Sequence, residues 1–181
     1  MLEEIHNTSF FYFGSTFIQN SDKIDLQKKN MASLIASNQN KLTGHKLRHE
    51  VVQHIKNNNF NVSVIGRGYR PFENKEDGLK SYRYSIVIEN TSELDYFTEK
   101  VIDACLLETI PIYWGAPNIS KYFDTRGFIV CENIDQILQA IRTISIDDYN
   151  SKVEWIMKNK VKAAYHANCF KRAAQVIRSS L

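Results

Sequence analysis

The sequence is poor in residues that break or staple a chain. Among 181 residues there are 3 prolines, 7 glycines and 3 cysteines. So little Pro and Gly, beside 43% apolar and 24% charged residues, excludes collagen-like, low-complexity and wholly disordered chains. Cys105, Cys131 and Cys169 are odd in number, far apart and without C-x-x-C spacing, which fits reduced thiols better than a disulfide frame. No run approaches the ~20 apolar residues that cross a bilayer. The start, Met1-Leu2-Glu3-Glu4, lacks the basic-then-apolar order of a signal peptide. A cytoplasmic chain is expected, with room for membrane-peripheral association. Charge of one sign is also missing: 23 Lys and Arg against 20 Asp and Glu give +3, no footprint for a nucleic-acid groove. The N-x-[ST] triplets at Asn7, Asn61, Asn90 and Asn118 fit chance in an Asn-rich chain.

Familiar catalytic devices are absent too. There is no G-x-x-x-x-G-K-[ST], no G-x-G-x-x-G and no G-x-S-x-G. His49 and His54 are five apart and share no helix face, which excludes a zincin pair. His45 and His49 could share a face, but no third ligand accompanies them, so helix surface or capping is the favoured reading. No D-x-D pair exists to hold a metal-bound diphosphate. Neither metal nor cofactor is therefore expected.

Short apolar runs alternate with amphipathic stretches. Strands are expected at 31–37, 61–65, 84–89, 110–114 and 127–130. Helices are expected at 45–57, 97–108, 134–144 and from 149 to about 177. Residues 66–78, with three Gly and one Pro, read as a long loop. Continuous apolar strands between helices predict an α/β fold: a Rossmann-like parallel sheet with helices on both faces. Residues 1–30, with the aromatic run Phe10 to Phe13, form an expected N-terminal extension; 31–181 form the domain with its C-terminal helices. The ligand crevice of such sheets lies beyond the carboxyl ends of the strands.

Four loops at that edge hold the chemistry. Glu89 to Lys100 leaves a strand and enters a helix, whose start presents unpaired N–H groups and a positive dipole end suited to phosphate. Lys100 would add a full charge there. Glu99 could accept sugar or ribose hydroxyls or face a developing positive charge; an acidic first-turn residue also serves as a plain dipole complement. Arg48, early in the preceding helix, could bind a diphosphate bidentately or be an ordinary surface arginine. Arg67 and Arg70, with Lys80 and Arg83, give the middle loop basic character, some of it toward phosphate but most of it simply solvated. Gly115 permits close approach of a ligand, or makes a turn. Tyr96 could reach a ribose or base, or staple the helix start. Cys105 falls on an apolar helix face and reads as core; Tyr113 and Trp114, at a strand end, fit core packing or, less well, stacking on a ligand.

The stretch from Tyr84 to Ala116, YSIVIENTSELDYFTEKVIDACLLETIPIYWGA, resembles the donor-binding signature of the α-1,3/4-fucosyltransferases, glycosyltransferase family 10. The D-Y-x-T-E-K element stands intact at Asp95 to Lys100. Pro111, Gly115 and Phe128-Ile129 fall where that pattern has them. Ser37-Asn38-Gln39-Asn40 with Arg48 resembles the family's S-N-x-N…R element, and Val64 to Gly68 its V-x-G-x-G strand end. The likeness covers about residues 30 to 145. It implies one half of a GT-B glycosyltransferase, binding GDP-fucose and transferring fucose with inversion to a glycan acceptor. On the matching positions it implies Arg48 and Lys100 at the diphosphate, Asn90, Tyr96 and Glu99 at ribose or fucose, and Glu99 as a catalytic residue stabilising an oxocarbenium-like transition state. Asn38, Arg67 and Gly115 are weaker candidates. The family's general base lies in the preceding, acceptor-binding half, which thirty residues cannot form; Glu3 and Glu4 are candidates on paper only. The chain would then be a truncated protein, a donor-binding half completed by a second chain or domain, or an inactive relative. A GDP-sugar-binding module without catalysis, a transferase using another nucleotide sugar, and a structural interaction domain are the alternatives.

Overall fold

The computed structural model describes Tyr12 and residues 14–179. Glu3, Glu4, Asn7 and all of the aromatic run except Tyr12 lie outside the described residues. Five parallel strands form the sheet: β1 (Asn30–Ile35), β2 (Val62–Ile65), β3 (Tyr82–Ile88), β4 (Ile110–Trp114) and β5 (Ile129–Val130), in the order β2-β1-β3-β4-β5. The helices are α1 (Thr43–Asn57), α2 (Glu99–Leu106), α3 (Ile134–Thr143), α4 (Ile146–Ser151), α5 (Val153–Ala167) and α6 (Cys169–Ser179).

Both faces of the sheet are buried, which is why its strands read as unbroken apolar runs. Tyr84, Ile86 and Ile88 of β3 pack with Ile110, Ile112 and Trp114 of β4 against α1 and α3. The intervening Val87 and Tyr113 face the other way, into the core under α2 and α5. Cys105 belongs to that second core. Burying each such aliphatic side chain contributes roughly 1.5–3 kcal/mol.

Element ends differ from the sequence expectation for local reasons. β5 begins at Ile129, because Gly127 closes a 3-10 turn whose Asp124 side chain accepts from the Arg126 amide. α2 starts at Glu99, since Thr98 is its N-cap and Phe97 sits in an aromatic cluster with Tyr12, Tyr122, Phe123 and His166. The long C-terminal helical stretch breaks at Lys152 and Asn168. Residues 14–30 pack on the domain: Ile18 is buried in the core. The Lys28 ammonium donates to the carbonyls of Leu79, Tyr82 and Leu107 and to Thr109 Oγ1, at 2.6–3.3 Å.

The topology fixes where a ligand can enter. From β1 the chain crosses by α1 to β2 on one side; from β3 it crosses by α2 to β4 on the other. The direction of winding therefore reverses between β1 and β3, and a crevice opens at their carboxyl ends. No helix joins β2 to β3. Residues 66–81 do so as a loop with a 3-10 turn at Lys75–Gly78. Gly78 presses that turn onto β1, where a β-carbon would stand 2.8 Å from Ile35 Cδ1. Its carbonyl accepts from Ser33 Oγ at 2.7 Å.

Candidate functional site

A cleft of about 310 Å³ occupies the reversal point. Its walls include Ala36 and Ser37 after β1, Arg48 of α1, Gly66 and Arg67 after β2, Lys75 of the turn, and Glu99 and Lys100 of α2.

Arg48 is its most unusual member. The residue is only 7% exposed, and its Nε has no hydrogen-bond partner. Nη2 donates to Asn90 Oδ1 at 2.6 Å. Among the described residues no carboxylate lies within 4 Å of it. Burial pulls the guanidinium below its ordinary pKa, and the more distant Glu89, Glu99 and Tyr96 oppose the shift only in part. A buried cation without a direct counter-ion costs free energy that an incoming anion recovers.

α1 can hold Arg48 there because Gly44 lets the helix start touch the β3–α2 loop. Gly44 N–H donates to the Asn90 carbonyl at 3.0 Å. A β-carbon at position 44 would stand 1.7 Å from the Glu89 carbonyl oxygen.

Glu89 and the start of α2 form the opposite wall. The Glu89 side chain is fully buried and accepts from Thr98 N–H at 2.9 Å and Thr98 Oγ1 at 2.7 Å. Lys100 N–H turns back to Thr98 Oγ1 at 3.4 Å. These two helix-start donors are thus satisfied internally. Burial raises the Glu89 carboxyl, with Lys100 and Thr98 acting against it. Lys100 Nζ stands 3.5 Å from both Glu89 Oε2 and Glu99 Oε1, shared between the two carboxylates. Glu99 itself would be raised by burial, but Lys100 and Lys75 outweigh this and hold it net below the ordinary carboxylate value.

The sequence candidates separate in space. Arg48, Arg67, Glu99 and Lys100 line the cleft together. Asn90 accepts from Arg48 Nη2 and interacts with Tyr96 and His45. Asn38 lines a neighbouring groove instead, with Lys46, His49 and Tyr69. Gly115 sits behind Glu89, where a β-carbon would meet Tyr113 Oη at 2.5 Å and Glu89 Cγ at 2.7 Å. Its close approach is to protein rather than to the cleft. Among the described residues no group of His, Cys, Asp or Glu could hold a metal ion. His45 caps α1, accepting from Leu42 N–H at 3.4 Å; His49 bonds Tyr69 Oη and the Gln39 carbonyl, both at 2.8 Å. Gly44, Glu89 and Lys75 were not singled out by spacing. Their signal lies in contacts between distant segments.

A cation-lined cleft at the reversal point of a doubly wound parallel sheet defines a Rossmann-like α/β domain. Residues 26–177 match the model for the C-terminal domain of glycosyltransferase family 10, the fucosyltransferases. The chain belongs to that family. It is 34% identical over 122 residues to an α-(1,3)-fucosyltransferase of Helicobacter pylori, covering 67% of this chain and 25% of that protein. A crystal structure of an α1,3-fucosyltransferase with GDP-fucose superposes with a TM-score of 0.58 at 30% identity, over 73% of this chain and 40% of the other. A further α1,3-fucosyltransferase structure covers 88% of this chain and 48% of its own, with a TM-score of 0.57 at 26% identity. The chain thus spans less than half the length of these relatives. Among the described residues no helix is long and apolar enough to cross a membrane.

Proposed function

We propose that this chain is the donor-binding half of an inverting fucosyltransferase, with GDP-fucose in the β1/β3 cleft. The observation that carries the reading is Arg48: a buried guanidinium without a partner at Nε, in the wall of a cleft that Lys100 also lines. Arg48 and Lys100 hold the diphosphate. As the bond between fucose C1 and the phosphate oxygen breaks, negative charge grows on the leaving GDP, and two fixed cations stabilise it more than they stabilise the ground state. Asn90 keeps Arg48 aimed. Tyr96, Asn90 and Glu99 meet ribose or fucose hydroxyls, and the ionised Glu99 carboxylate opposes positive charge developing on the sugar ring. Arg67 is a further cation at the cleft mouth.

Inversion requires the acceptor hydroxyl to attack C1 from the face opposite GDP while a base takes its proton. We assign that base to an acceptor half supplied by another domain or a second chain. The match is to a C-terminal family domain and to under half of each solved relative, so the base is sought outside the matched residues, and a GDP-sugar-binding module is the second reading. A cytoplasmic setting suits the three free thiols.

Calorimetry with GDP, GDP-fucose, UDP and ADP tests the proposal. GDP and GDP-fucose should bind and the other two bind weakly. No heat with GDP at millimolar concentration would overturn it. Transfer or GDP-fucose hydrolysis on adding an acceptor half separates the enzyme from the inert module.

A further inference from the structure

We propose that Lys75 is a positioning residue for Glu99: it reaches across the cleft from the β2–β3 turn and holds that carboxylate toward the bound nucleotide sugar. The inference rests on the donor-site reading above and adds to it a residue outside the β3–α2 signature.

Lys75 is built in from three sides. Its turn is pinned to β1 through Gly78 and Ser33. Its ammonium pairs with Asp103 Oδ2 at 2.7 Å and stands 3.6 Å from Glu99 Oε1. These two acids lie one helical turn apart on α2, so a single cation can span both. Asp103 is fully buried and is fixed in turn by the Thr16 hydroxyl and the Phe17 amide. The Phe17 ring lies 4.8 Å from the ammonium, a cation–π contact. Lys75 thus ties the segment before β1, the loop that replaces a crossover helix, and α2 into one wall, and that wall lines the cleft.

The electrostatics explain why a second lysine is needed. Glu99 is faced by Lys100 and Asp103 of its own helix, by Lys75 of the turn, by Arg48 of α1, by Glu89 at the end of β3 and by Tyr96 of the loop. Lys100 is shared with Glu89 at an equal 3.5 Å, and a diphosphate in the cleft would compete for it as well. Once Lys100 turns to phosphate, Lys75 is the remaining lysine paired with Glu99. It keeps the carboxylate ionised and its direction set while the donor is bound.

A double-mutant cycle on GDP-fucose affinity, read by calorimetry at pH 7, tests this. Lys75→Met should weaken binding about tenfold, while Lys75→Arg, which keeps the charge, stays within about threefold of the parent. In the Glu99→Gln background Lys75→Met should have almost no further effect, because its target is gone. Lys75→Gln runs in parallel, so that a folding failure of one variant leaves the cycle measurable. Penalties that simply add in the double variant would overturn the role of Lys75 while leaving the donor site standing. A parent chain that binds no GDP-fucose would overturn both.

Discussion

Gly44 touches the main chain of Glu89 so closely that no side chain fits between them. The contact is backbone to backbone, so neither partner can swing away. It sets the distance between α1, which carries Arg48, and the β3–α2 loop, which carries Asn90. Gly44→Ala should push the start of α1 off the loop. A loss of stability of about 3 kcal/mol is expected in urea unfolding, the upper end for overpacking against rigid structure. GDP affinity should fall with it, since the Arg48–Asn90 bond cannot survive the shift. An alanine variant as stable as the parent would show that α1 is not docked this way.

Arg48 should trade stability against binding. In the free chain its guanidinium is desolvated, has no partner at Nε and forms one bond to a neutral amide. Replacing a buried, incompletely paired cation by an apolar group of similar shape is often neutral or stabilising. Arg48→Met should therefore raise the unfolding free energy by about 1 kcal/mol. The same variant should lose at least about thirtyfold in GDP affinity, the worth of a charge-assisted contact of roughly 2 kcal/mol. Parallel losses of stability and affinity would contradict the picture of a cation held for an absent anion.

How much of this was readable in one dimension depends on how local the cause is. β3 and β4 announce themselves because burial on both faces removes every polar interruption between Tyr84 and Ile88 and between Ile110 and Trp114. Arg48, Glu99 and Lys100 were legible as candidates because strand end, loop and helix start follow one another along the chain. The 66–78 loop showed itself through Gly and Pro, but its place against β1, where a helix would ordinarily pack, did not. Nothing in the spacing marks Lys75, since its partners Asp103 and Phe17 lie 28 and 58 positions away. Nor does any spacing mark Gly44; only the approach of Glu89, 45 positions later, shows what it is for.

His166 gives the chain a built-in acid sensitivity. The residue is 5% exposed, its ring set edge-on or tilted against Tyr12, Phe97, Tyr122 and Phe123, with Nδ1 at 2.9 Å from Tyr12 Oη. Burial pushes its pKa down to about 4, against 6.5 when unfolded. A depressed histidine binds its proton more readily in the unfolded chain. Its contribution is therefore fully present above pH 6.5 and is lost as pH falls toward 4. Between pH 7 and pH 5 the loss should be about 2 kcal/mol. His166→Gln should flatten that part of the pH–stability curve. A parent curve already flat between those two values would refute a buried neutral imidazole.

Asp95 carries the last test, because it is a non-glycine residue in left-handed backbone, with φ at 62°. Such a conformation is strained for a side chain with a β-carbon unless local bonds compensate. Here they do. The Asp95 amide donates to Asn118 Oδ1 at 2.9 Å, and its carboxylate accepts from Asn118 Nδ2 at 2.7 Å, from the Tyr122 hydroxyl and from Lys121. The Tyr122 and Asn118 bonds hold the carboxyl below its ordinary pKa. The clamp ties the β3–α2 loop to the turn after β4 and sets the backbone that presents Tyr96. Asparagine tolerates this conformation and keeps an acceptor; glycine keeps only the conformation; alanine keeps neither. Melting temperatures should therefore rank Asp95→Asn above Asp95→Gly, and Asp95→Gly above Asp95→Ala. GDP-fucose affinity should follow the same order if the loop is what places Tyr96. An alanine variant that melts above the glycine variant would mean that the backbone at this position is not left-handed in solution, and the clamp would have nothing to hold.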